Sequence, residues 1–96
     1  MKVIIRSDKA GVFYGTLESK ESTVAGVEVT LTNCRRIWYW EGAATLSQLA
    51  VEGTKSPKQC KITIEVPSMT IMNVVEIIPC TEEAIASLDS VPVWKA

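Results

Sequence analysis

No histidine occurs among the 96 residues of this chain. Its absence removes the Ser-His and Cys-His nucleophile pairs and one of the commonest zinc ligands together. Cysteine is scarce as well. Cys34, Cys60 and Cys80 are an odd set spaced 26 and 20 residues apart, a pattern that fits neither a disulfide framework nor a zinc site. Reduced thiols in a cytoplasmic protein, with no metal, are the expectation. Glycine-rich phosphate cradles are also missing, since neither GxGxxG nor GxxxxGK(S/T) is present. Of the carboxylates, Glu82 and Glu83 open a predicted helix, where the helix dipole accounts for them. With no catalytic residue and no cofactor motif, a binding protein is expected rather than an enzyme.

An excess of charge is lacking too. Ten basic residues stand against eleven acidic ones, a net charge of -1 with a pI near 5.4, so no overall field draws the chain to duplex nucleic acid or an anionic membrane. The apolar run Val3 to Ile5 at the amino end is too short for a signal-peptide core. No segment approaches the ~20 apolar residues of a membrane span. There are no repeats, linkers or low-complexity stretches, and residues 1–96 are expected to form a single domain.

What is abundant is apolar side chain. A hydrophobic fraction of 47% with mean hydropathy +0.17 is high for a small domain, and the surplus predicts burial between copies in a homo-oligomer. Val3 to Arg6 and Val12 to Glu18 flank the turn residues "SDKAG" and predict a hairpin. "GVEVTLTN" alternates Val27, Val29 and Leu31 against Glu28, Thr30 and Thr32, as a half-buried strand does. It should pair with Phe13 to Glu18 across the polar turn "SKESTVAG". A turn at Asn33 is expected to lead into a separate strand "RRIWYW", with Arg36, Trp38 and Trp40 on one face and Arg35, Ile37 and Tyr39 on the other.

"TLSQLAVEG" predicts a short helix with Thr45 as cap, Gln48 completing a capping box, a stripe of Leu46, Leu49 and Ala50, and Gly53 after its end. Cys60, Ile62, Ile64 and Val66 then alternate as a strand that Pro67 ends, and "MTIMNVVEII" reads as one further strand stopped by Pro79. "TEEAIASLD" is a second helix capped by Thr81. The tail "SVPVWKA" is expected to be extended and pinned by Trp94. The sum is an α+β domain: a small antiparallel sheet or open barrel of about six strands with two short helices.

One constellation carries chemistry. Guanidinium groups pair with phosphate and stack on flat rings, and indole and phenol faces stack on nucleobases. Arg35, Arg36, Trp38, Tyr39 and Trp40 supply both within six residues. The helix start at Thr45 follows, with Ser47 and Gln48, offering free N–H groups to a phosphate or base edge. Lys55, after the helix, could cover a ligand, whereas Lys9, Lys58 and Lys61 read as solvated-face lysines. A structural reading stands beside this one: Trp38 and Trp40 as core, Arg36 lying over them, and Arg35 as a guard charge on a sheet edge. Bound single strands are disfavoured for want of an extended basic groove.

"AGVFYGTLE", "LTNCRRIWYWEGAATLSQLAVEGTK" and "EIIPCTEEA" together resemble a family of small uncharacterised proteins of tailed bacteriophages, over roughly Arg6 to Trp94. That resemblance implies a viral origin and a place in the cytoplasm of an infected bacterial host. By analogy with small phage counter-defence factors, it also implies an oligomeric sponge that sequesters cyclic nucleotide alarm signals. The alternative is a protein-interaction module in which the same arginines and aromatics form an interface hot spot.

Overall fold

The computed structural model describes residues 1–96. β1 (Lys2–Ser7) and β2 (Gly11–Thr23) form the expected amino-terminal hairpin, Ile5 opposite Phe13 and Lys2 opposite Thr16. β2 runs further than its apolar pattern predicts, because Ser19 to Thr23 continue the ladder against β3 (Gly26–Tyr39). The turn between them is only Val24 and Ala25, and this outer part of the hairpin is exposed on β2.

Asn33 does not turn the chain. β3 passes through it as one strand of 14 residues, and Asn33 has a φ of 49°, a left-handed conformation that asparagine tolerates. The pairing shifts there, from Thr16 opposite Thr32 to Tyr14 opposite Arg35. This is a β-bulge, and the extra residue exchanges the faces on which the following side chains lie. Gly15 sits across from it, where a Cβ would come within 3.1 Å of Cys34 Cα and Thr32 O. Only glycine fits that approach comfortably.

The second half also departs from the expected strands. Cys60 to Val66 is not one strand: β4 is Lys61–Ile62, and β5 (Val66–Ile71) contains Pro67 rather than ending at it. The run "MTIMNVVEII" folds at Met72 and Asn73, so that β6 is Val74–Pro79; Asn73 takes a φ of 54°. Continuous apolarity hid this turn, since hydrophobic runs carry no phase of their own. The result is an open six-stranded antiparallel sheet in the order β4-β3-β2-β1-β6, with β5 paired to β3 beside β4. It does not close into a barrel.

Both faces of the sheet are buried. On one, Ile4, Tyr14, Ile37 and Ile62 pack under α1 (Leu46–Glu52) and α2 (Glu82–Asp89) through Leu49, Ala50 and Leu88. On the other, Val3, Ile5, Phe13, Val29, Leu31, Cys34, Ile71 and Val74 form a second cluster within the sheet's curve. Thr45 and Thr81 cap the helices as predicted, accepting from Gln48 N and Ala84 N, each at 3.1 Å. The tail after α2 lies extended along β4, with Val93 bridged in parallel to Ile62 and Trp94 N–H donating to Ile62 O at 2.9 Å. No helix is long and apolar enough to cross a membrane.

Candidate functional site

The two arginines part company at the bulge. Arg35 shares the helix-covered face with Ile37 and is only 6% exposed. Its guanidinium donates to Thr63 O at 2.8 Å, to Ile62 O and Val91 O at 3.1 Å, and to Leu88 O at 3.3 Å. Burial lowers its pKa, partly offset by Glu65 and Asp89, and a guanidinium stays charged regardless. Arg35 is thus a buried clamp that joins β4, the end of α2 and the tail, with its donors turned inward.

Arg36 lies on the opposite face. Its Cζ stands 4.6 Å from the centre of the Phe13 ring, and Nη1 donates to Ala10 O at 2.7 Å. No carboxylate pairs with it: the molecule's salt bridges are Lys2–Asp89 and Arg6–Glu76. One alternation further along β3 comes Trp38, 65% exposed. Its indole lies parallel to that of Trp94, with ring centroids 6.3 Å apart and planes 10° from each other. Tyr39, also exposed, donates its hydroxyl to Glu41 Oε1 at 2.6 Å, and this bond chiefly raises its pKa.

Lys61 completes the cluster. Its Nζ sits 5.5 Å from the Trp94 ring centre and 5.9 Å from that of Tyr39, within cation–π range, and it has no carboxylate partner. Beside Trp94 lies an open depression of about 310 Å³ lined by Thr63, Trp94, Lys95 and Ala96. That is near the small end of ligand-site volumes. The exposed side chains of Ile64 and Val93 extend the surface.

The remaining predicted residues stay outside this cluster. Trp40 is half-buried against the helix-side core, and its Nε1 donates to Ala43 O at 3.2 Å. Thr45 and Gln48 serve their own helix, since Gln48 Oε1 accepts from Ala44 N at 2.8 Å while Thr45 caps. Ser47 is exposed on the same turn, and Lys55 is exposed without a side-chain hydrogen bond or ion pair. The Lys55 backbone is instead half of a tight loop contact. Lys55 N donates to Gly42 O at 3.2 Å, Thr54 Oγ1 donates to Glu41 O, and Cys60 Sγ lies 3.5 Å from that same oxygen. Much of "WEGAATLSQLAVEGTK" is therefore scaffold.

Trp94 and Lys61 were not marked as site residues by the sequence. A tryptophan in a short tail after the last helix was the only available signal; the partner it stacks on lies 56 residues away and leaves no trace in local pattern.

The chain belongs to the family described as a domain of unknown function (DUF6948), whose model matches residues 1–88. Trp94 lies beyond the matched residues. No curated protein and no solved structure matches the chain.

Proposed function

We propose that this chain is a non-enzymatic, phage-encoded binding protein that sequesters a nucleotide, as an oligomeric sponge for cyclic nucleotide signals of bacterial defence. The observation that carries the reading is Trp38, a large ring left 65% exposed and stacked on Trp94, over which lies Lys61, a cation with no carboxylate partner; Arg36, two residues before Trp38 on β3, has none either. Rings stack on nucleobases and uncompensated cations attract phosphate, so the pair of features suits one ligand class. The resemblance to small phage proteins supplies the biological setting. Arg35 and the helix start at Thr45 have no part in it.

Calorimetry against a panel of cyclic di- and trinucleotides tests the proposal. Saturable binding is expected, weakened about tenfold or more by Trp38→Ala, the size of one lost stacked base. Silence across the panel would sink it.

A second reading, a protein-interaction module, is favoured by one specific feature: large apolar side chains near Trp94 in sequence or in the sheet, Ile64 and Val93, are also exposed. Trp and Tyr are typical anchors of such interfaces. A stoichiometric host protein retained by the wild-type chain and lost with Trp38→Ala would favour it over the nucleotide.

A further inference from the structure

The carboxyl-terminal tail is held unevenly. Up to Pro92 it is clamped from within, because Arg35 Nη2 lies 3.1 Å from Val91 O and 3.4 Å from Pro92 O. Beyond Pro92 the ties are few: the bridge of Val93 to Ile62, the bond from Trp94 N to Ile62 O, and the indole's contacts with Trp38 and Lys61. Residues 92–96 are all exposed. A rigid base followed by a lightly held aromatic segment has the mechanics of a jaw, with the fixed jaw, Trp38, on the sheet's longest strand.

The two indoles already lie nearly parallel, and Trp94 is 44% exposed. Lys61 reaches over the Trp94 and Tyr39 rings with no carboxylate to neutralise it, and Lys95 lines the depression beside Trp94. A ring entering between the indoles as the tail shifts outward gains two aromatic faces, and an anionic group attached to it meets two lysines.

Resting on the nucleotide reading above, we infer that Trp38 and Trp94 form an aromatic clamp whose movable jaw is the tail from Val93 onward. It takes a planar ring carrying a phosphate, with Lys61 and Lys95 as the counter-cations. The clamp deepens that reading by placing half of the site on Trp94 and Lys95, and it makes ring and phosphate separable contributions.

The test uses the full-length chain with adenosine, ADP and inorganic pyrophosphate as probes, followed by tryptophan emission and calorimetry. ADP is expected to bind and to quench emission, adenosine to bind more weakly, and pyrophosphate to leave emission unchanged. Trp94→Ala should weaken ADP binding about tenfold or more, and Trp94→Phe should restore most of it. Lys61→Met should reduce the preference for ADP over adenosine about tenfold, while adenosine binding stays within about twofold. Each variant alters an exposed side chain, and circular dichroism together with a denaturation midpoint near the wild type establishes that it folds. If Trp94→Ala binds ADP as tightly as the wild type, the clamp is overturned while nucleotide binding at Trp38 stands. If the intact chain binds neither these probes nor the cyclic nucleotides, the nucleotide reading itself is overturned.

Discussion

Arg35 and Arg36, neighbours on β3, point to opposite faces of the sheet: Arg35 Nε meets Thr63 O at 2.8 Å in the interior, and Arg36 Nη1 meets Ala10 O at 2.7 Å at the surface. Their substitutions should therefore differ in kind. Arg35→Met strands the carbonyls of Thr63 and Val91 and removes one of the donors to Ile62 O and Leu88 O, and should cost about 3 kcal/mol or more. Arg36→Met removes one exposed bond and a cation–π contact, costing about 1–2 kcal/mol. Urea denaturation midpoints of the two variants give the comparison, and equal losses would contradict the buried-clamp role.

Gly42 has a φ of 84°, and a Cβ there would lie 2.5 Å from Lys55 N, Ser56 N and Thr54 Oγ1. Gly42→Ala must strain the backbone or push the loops 41–43 and 54–56 apart. A loss of about 2 kcal/mol or more is expected, with the thermal midpoint lowered by several degrees. A neutral outcome would mean that the two loops are not locked together.

The tryptophans of β3 and its exit offer a contrast of the opposite kind. Trp40 packs against the helix-side core and bonds Ala43 O, so Trp40→Ala should cost about 3 kcal/mol. Trp38→Ala forfeits chiefly the stack on Trp94 and should cost no more than about 1.5 kcal/mol. Chemical denaturation of the two variants measures this directly; a Trp38→Ala loss matching that of Trp40→Ala would make Trp38 a packing residue.

Asp89 accepts from Tyr14 Oη at 2.8 Å and from Lys2 Nζ at 2.9 Å. Burial works to raise its pKa, but the bonds from Lys2 and Tyr14 outweigh it, and the carboxyl ends below its ordinary value. A depressed carboxylate stabilises the fold above its unfolded pKa, near 3.9, and that contribution is lost as pH falls through the folded value. Stability measured from pH 6 down to pH 2 should thus fall partly through Asp89. Asp89→Asn should cost about 1 kcal/mol at pH 7, allowing for solvent screening of this half-exposed pair, and should flatten the acid limb. An acid limb unchanged in Asp89→Asn would remove this carboxylate as its cause.

The hairpin at the amino end, both helix caps and the α+β class were legible in the sequence because each rests on local chemistry. Apolar alternation, a threonine before a helix and turn residues between strands act over a few positions. Asn33 shows where local signals mislead. Asparagine marks turns and bulges alike, and only pairing across to Gly15 made this one a bulge within a continuous strand. That single inserted residue then decided which arginine is buried in the helix-covered face and which lies at the surface.

The sequence by itself determined the absence of histidine chemistry, the two capped helices and the presence of arginines and aromatics in one short stretch. Tertiary structure alone decided their roles, because burial and stacking depend on partners distant along the chain. Arg35 became internal by meeting carbonyls of β4, α2 and the tail, while Trp38 gained its ring partner from Trp94, over which Lys61 lies. Such neighbours are created by strand register and by the path of the tail, and no local pattern encodes them.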